Sequence, residues 1–152
     1  MGADNMNSNS WKAKEKGTYE LVTETIESLS DLKWSKDKYS SFDAYNDLAI
    51  VEFKYRHQAH ADTLIEKMKY ENLKALCSGK IALYIVEAED TIYIFNLNRL
   101  HKAGWDYKWE MRDCNATTHF NNKNKKPKMV GYIDWEQADI TIDRDTKEVT
   151  RR

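Results

Sequence analysis

In the stretch SSFDAYNDLAIVEFKYR, the types and spacing of Asp43, Glu52 and Lys54 would let them meet on one face of a β-hairpin. Side chains alternate along a strand, so Glu52 and Lys54 share a side with Ile50, and Val51 and Phe53 point the other way. With Asn46-Asp47 as a two-residue turn, Tyr45 pairs with Leu48, Ala44 with Ala49 and Asp43 with Ile50. Asp43 is then diagonal to Glu52 at about 7–8 Å or less, near enough for both carboxylates to reach one cation. Asp47 sits in the turn, about 17 Å of strand from Glu52, and cannot join them. Two hard carboxylates suit Mg²⁺ (or Mn²⁺), which takes one or two such ligands plus waters and phosphate oxygens. An ion held there lowers the pKa of a bound water and neutralises charge on a scissile phosphate. The Lys54 ammonium could orient that water or stabilise the developing charge.

Asp or Glu two residues before Lys occurs four times, at Asp31-Lys33, Glu52-Lys54, Asp106-Lys108 and Asp145-Lys147. The tripeptide by itself therefore carries little. Only Glu52-Lys54 lies in a strongly apolar run, LAIVEF, where a charge is costly to bury without a partner or a metal. A structural Glu-Lys surface pair is the competing explanation.

The elements that must position these residues follow from periodicity. Residues 1–16 are polar and aperiodic and read as a flexible tail ending in Lys12, Lys14 and Lys16. Tyr19, Val22, Ile26 and Leu29 form one stripe of an amphipathic helix over 18–29. Residues 32–36 read as extended, and strands over 39–45 and 48–55 form the hairpin. A short extended piece over 63–65 precedes a helix to about Cys77, with Met68, Leu73, Leu76 and Cys77 available for burial and Gly79 as its stop. Strands over 80–86 and 91–97, separated by an acidic turn over 87–90, carry the richest β signal. Alternation of Trp105, Tyr107, Trp109 and Met111 predicts a further strand, 115–128 a basic loop, 129–133 a short strand, and DRDTKEVTRR a polar tail. The expected organisation is one α/β domain over 17–145, flanked by tails over 1–16 and 146–152.

Composition bounds the class. A chain of 152 residues, 41% hydrophobic and 32% charged, can bury one core and has no apolar run long enough to cross a bilayer. Cys77 and Cys114 form neither a disulfide framework nor a metal-ligand set, and no secretory signal opens the chain, so a reducing cytoplasm is the expected compartment. There is no glycine-rich phosphate loop, no GxSxG and no HExxH, and His57, His60, His101 and His119 are not spaced as a zinc site. A net charge of -1 excludes a uniformly basic nucleic-acid binder. It leaves room for an acidic metal face with separate lysine clusters.

The hairpin resembles the PD-(D/E)XK nuclease superfamily, with Phe42-Asp43 in place of the PD dipeptide and Glu52-Phe53-Lys54 as the (D/E)XK element. The order of helix, motif hairpin, helix and further strands over 17–97 is similar to the restriction-endonuclease-like αβββαβ core, a central mixed sheet flanked by helices. VEFKYR, ADTLIEKMKYENLKAL, ALYIV and IYIFNL also look like small phage-encoded members, which would place the chain in a host cytoplasm. The resemblance implies a divalent-metal-dependent phosphodiesterase, an endonuclease on DNA. It makes Asp43, Glu52 and the Phe53 backbone carbonyl ligands of Mg²⁺ or Mn²⁺, and Lys54 the catalytic lysine. Many members add a glutamate from the first helix, for which Glu20 resembles the family position best. On a helical wheel, however, Glu20 and Glu24 lie well away from the apolar stripe, which favours solvated glutamates. Lys69 resembles the lysine or glutamine that members place on the helix after the motif strand. The missing Pro is common variation, and the nine-residue spacing from Asp43 to Glu52 makes a tight hairpin.

Phosphate contacts would come from basic groups. Arg56 shares the face of Glu52 and Lys54 and could hold a phosphate bidentately, with a salt bridge to Asp62 or Glu66 as the alternative. Lys123, Lys125, Lys126 and Lys128 form an acid-free cluster that is either a phosphate contact or a solvated loop. Trp105, Tyr107 and Trp109 could stack bases, though a buried strand face suits their spacing better. A catalytically inactive module of the same fold, binding nucleic acid or a partner protein, is the alternative function. A homodimer is left open, and no membrane partner is expected.

Overall fold

The computed structural model describes residues 3–35, 42–60, 62–76, 78–105, 108–115 and 125–152. Helix α1 (Ala3–Thr25) is followed by a 3-10 turn at Glu27–Leu29 and by β1 (Lys33–Trp34), β2 (Ala44–Tyr45) and β3 (Ala49–Arg56). Next come β4 (Asp62–Glu66), α2 (Lys67–Leu76), β5 (Ile81–Ala88), β6 (Thr91–Asn96) and α3 (Leu97–Lys102). The chain continues through β7 (Glu110–Asn115), β8 (Lys125–Asp134), a second 3-10 turn, β9 (Ile140–Asp143) and β10 (Val149–Arg151).

The protein is α/β with a mixed central sheet, ordered β1-β2-β3-β5-β6-β9-β10. Within it β3 and β5 run parallel, and the other neighbours are antiparallel. A second, antiparallel sheet is ordered β4-β8-β7. The near-continuous apolar runs of β3 and β5 are what a strand covered on both faces requires. One face packs Val51, Phe53, Leu83 and Ile85 under Leu21 and Val22 of α1 and Ile26 just after it. The other packs Ile50, Tyr84, Val86 and Phe95 against Tyr70 and Leu73 of α2, Leu97 and Leu100 of α3, and Ile65 and Ile133 of the second sheet.

Several expectations are corrected. Residues 3–16, read as a tail, are the first half of α1. Their polar sequence hid a helix that draws its packing from Thr18, Leu21, Val22 and Ile26 farther along. The C-terminal residues read as a tail pair instead as the β9–β10 hairpin, with Val149 opposite Ile142. Residues 125–128 belong to β8, opposite β7, rather than to a loop. Trp105 and Trp109 precede β7 and pack on Tyr70 at ring-centroid distances of 5.9 and 5.7 Å. Tyr107 lies outside the described residues. Met68 and Leu76 are exposed, and Tyr70 and Leu73 are the buried side chains of α2. Gly79 does follow the helix in the left-handed conformation, at φ +79°.

The acidic turn is also narrower than expected, since Glu87 is the penultimate residue of β5 and only 3% exposed. Its Oε1 accepts hydrogen bonds from the Thr18 hydroxyl and Arg144 Nη2, both at 2.7 Å, and its Oε2 accepts from Arg144 Nε at 2.7 Å. A carboxylate removed from water at this depth needs such charge-assisted partners. The cluster fastens α1 to the central sheet and to the turn after β9.

Candidate active site

The hairpin that carries Asp43 and Glu52 is set by Asn46. Its side-chain oxygen accepts hydrogen bonds from Leu48 N–H at 2.9 Å and Ala49 N–H at 2.8 Å, and its own N–H donates to the Ala49 carbonyl at 3.0 Å. Its Nδ2 donates to the Ser28 carbonyl and to Asp31. These bonds make Asp47-Leu48 the turn, one residue beyond the expected Asn46-Asp47. Ala44 therefore pairs with Val51 and Tyr45 with Ile50, and Asp43, the residue just before β2, lies at the end of this ladder near Glu52, whose titration feels its charge. Moving the turn by one residue slides the register by two, so every side chain keeps its expected face.

Asp43 is fixed through its backbone and its carboxylate. Its N–H donates to the Val51 carbonyl at 2.9 Å, and its Oδ2 accepts the Phe53 N–H at 2.8 Å. The Phe53 N–H thus points to the side of β3 where Asp43 stands, and in a strand the carbonyl of the same residue points to that side too. The Phe53 ring lies on the opposite layer, stacked on Trp34 at 5.8 Å and edge-on to Tyr19 at 6.0 Å. This aromatic box anchors the backbone on which both motif charges sit.

Glu52 is 8% exposed, and Lys69 Nζ of α2 stands 3.4 Å from its Oε2. Burial, then the Asp43 charge, pushes the Glu52 carboxyl up from the ordinary 4.5 to about 8 despite Lys69. Burial also raises Asp43, against the Phe53 hydrogen bond and the two lysines. Lys54 is lowered, first by burial and then by the Arg56 charge. For Lys69, burial works against the ammonium but is outweighed by Glu52 and Asp43, so its pKa is raised.

A fifth group joins them that the sequence reading passed over. Glu15, on α1, is raised from 4.5 to about 7, by burial first and by Asp43 second, and Lys54 and Lys69 act in the opposite direction. Glu20, the expected first-helix glutamate, is exposed and has no part in this cluster. Glu24 is bound to Lys147 at 2.8 Å, as a solvated-face residue would be. A signal for Glu15 existed, because it precedes Val22 by seven residues and Ile26 by eleven, on the same helical stripe. Reading 1–16 as a tail concealed it.

The phosphate-contact candidates separate. Arg56 is committed to β4, its Nε donating to Thr63 Oγ1 at 3.1 Å and its Nη2 to the Leu64 carbonyl at 3.0 Å. It neither pairs with Asp62 or Glu66 nor presents a free fork, and it bears on the site by lowering Lys54. Lys128 is bound to Glu66 at 2.9 Å, and Lys126 is exposed on β8. The Lys125 side chain and Lys123 lie outside the described residues. Lys14 and Lys16 of α1 sit 4.8 Å over the Tyr55 and Trp34 rings, respectively.

Among the described residues no three His, Cys, Asp or Glu side chains close around one point as a ready metal cage. Mg²⁺ needs only one or two carboxylates from the protein. Asp43 and Glu52 are hard oxygen donors whose ionised forms burial disfavours, a penalty that a cation between them would relieve, and they fit that demand. No protein-family model matches the chain, and no curated protein is similar to it. Among the described residues no helix is long and apolar enough to cross a membrane.

Proposed function

We propose that this protein is a divalent-metal-dependent nuclease that hydrolyses phosphodiester bonds in DNA, built on a restriction-endonuclease-like core. The observation that carries the reading is that the Asp43 carboxylate, held by the Phe53 N–H next to Glu52, and the Glu52 carboxyl, 3.4 Å from Lys69, stand within electrostatic reach of each other and of Lys54. Adjacent buried acids repel one another and are poorly solvated, so such a pair favours a cation. The order α1, β1–β2–β3, β4, α2, β5, in which β4 belongs to the second sheet and β5 runs parallel to β3, supports the αβββαβ arrangement that the motif resembles, with β4 as an addition to it.

In this reading Asp43, Glu52 and the Phe53 carbonyl hold Mg²⁺ or Mn²⁺. The ion, when bound, supplies positive charge beside the scissile phosphate and acidifies water. Lys54, pushed toward its neutral amine, is suited to take a proton from the attacking water. Lys69 remains an ammonium, steadies Glu52 and faces the charge that builds on the phosphate. Glu15 contributes a third carboxyl that, when ionised, accepts a hydrogen bond from the same water.

The test is nicking of supercoiled plasmid. Cleavage is expected with Mg²⁺ or Mn²⁺, and its loss with EDTA or in Asp43→Ala, Glu52→Ala and Lys54→Ala variants that remain folded. Full activity of Glu52→Ala, or cleavage that persists in EDTA, refutes the proposal. Salt-sensitive DNA binding without nicking at any metal concentration would instead identify a binding module.

A further inference from the structure

Between the start of α2 and the part of β8 that runs on past its pairing with β4 lies a groove of about 420 Å³. Met68, Pro127 and Met129 supply its apolar wall, and Asn72, Glu66 and Lys128 its polar groups. Met68 is 66% exposed and Met129 37%, and Met111, the cross-strand partner of Met129, is 59% exposed. Neighbouring exposed methionines are an unusual use of surface, and their polarizable thioethers suit contact with flat aromatic rings. The Asn72 carboxamide has no hydrogen-bond partner among the described residues.

The groove and the candidate site share the β4–α2 junction: α2 carries Met68 and Asn72 on the groove and Lys69 against Glu52. Glu66, on its wall, acts electrostatically on both Lys54 and Lys69, and Lys69 follows Met68 in α2. Its size is that of a small-molecule site, and it offers apolar contact from the methionines, the Asn72 amide, and two rim lysines, Lys67 and Lys128, paired with Glu71 and Glu66. That combination matches one nucleotide, because a base presents π faces for packing and an edge that an asparagine can read bidentately.

We propose that this groove receives a single unpaired base of the strand whose phosphate lies at Glu52 and Lys54. The base packs against Met68 and Met129, and Asn72 contacts its edge. The inference rests on the nuclease reading and deepens it: the substrate has a nucleotide out of the stack beside the cut, as at an overhang, gap or branch.

The binding test is run in EDTA on the full chain, so that it does not depend on turnover. The chain carries 13C-labelled methionine methyls, and the probes are a blunt DNA duplex and the same duplex with a four-nucleotide single-stranded extension. The extended probe is expected to shift the Met68 and Met129 methyls and leave those of Met1 and Met6 in place. Asn72→Ala and Met68→Ala are each expected to weaken the extended probe about fivefold or more, the order of one stacked base, and to leave the blunt duplex unchanged. Three results overturn the inference: stationary Met68 and Met129 methyls with the extended probe bound, variants that bind it as the parent does, or the same methyls responding to protein concentration alone. That last result would mark a contact between copies of the chain. Failure of the nuclease reading is recognised separately, by absent metal-dependent nicking in the parent protein.

Discussion

Replacing Glu52 by Gln tests whether the candidate site is held at the expense of stability. In the folded chain the Glu52 carboxyl titrates at about 8 instead of 4.5. For an acid the folded state then binds more protons than the unfolded state between those values, so stability falls as pH rises through that window. A difference of this size caps the penalty at about 5 kcal/mol at pH 8. Part of the burden belongs to the whole group of Asp43, Glu52 and Glu15, and Gln forfeits the ion pair with Lys69. The expected gain for Glu52→Gln is therefore about 2 kcal/mol at pH 8, within the range seen when buried ionic groups are replaced by neutral ones. It should shrink toward zero at pH 4, where the parent carboxyl is protonated as well. Urea unfolding in EDTA at the two pH values measures it, and for a chain of this length the gain corresponds to a Tm rise of about 4–8 °C. Excess Mg²⁺ should raise the Tm of the parent and not that of Glu52→Gln. A variant less stable than the parent at pH 8, or a difference independent of pH, would refute the reasoning.

Glu15→Gln should lower metal-dependent cleavage about a hundredfold or more, the scale of one positioned acid-base group, and Glu20→Gln should leave it unchanged in the same plasmid assay. Arg144→Ala leaves the Glu87 carboxylate with the Thr18 hydroxyl as its one remaining hydrogen-bond partner among the described residues. Because Arg144 is one-third exposed, the loss should be about 2–3 kcal/mol in chemical denaturation, with recovery in Glu87→Gln/Arg144→Ala. Asn46→Ala removes two side-chain acceptor bonds from the turn and should cost about 1–2 kcal/mol in the same measurement.

The hairpin was legible in the sequence as far as parity. Alternation alone places Asp43, Glu52 and Lys54 on one face, and a slide of two residues leaves that intact. The register itself was not legible, because it depends on Asn46 bonding to Ser28 and Asp31, residues that come near only in the folded chain. Glu15 was obscured for a different reason: the polar segment around it has little helical signal of its own, and the helix is stabilised by packing from Thr18 onward. The buried role of Glu87 depends on Arg144, 57 positions away, and local pattern contains nothing of that pairing. Strand β10 was obscured because its ladder is made by backbone groups of a largely polar sequence, whereas the alternation of Ile140 and Ile142 in β9 was a strand signal too short to stand out.

The Thr18–Glu87–Arg144 clamp also orders events in time. Its two links span 69 and 57 positions of sequence, so α1 acquires its final anchorage only after residue 144 has left the ribosome and folded back. Asp43, Glu52 and Lys54 can assemble earlier, from the hairpin and its neighbours. Glu15 lies one helical turn before Thr18, next to this clamp. A chain still being synthesised would therefore present a site with its first-helix carboxyl unanchored, so full competence would arrive with completion of the C-terminal hairpin.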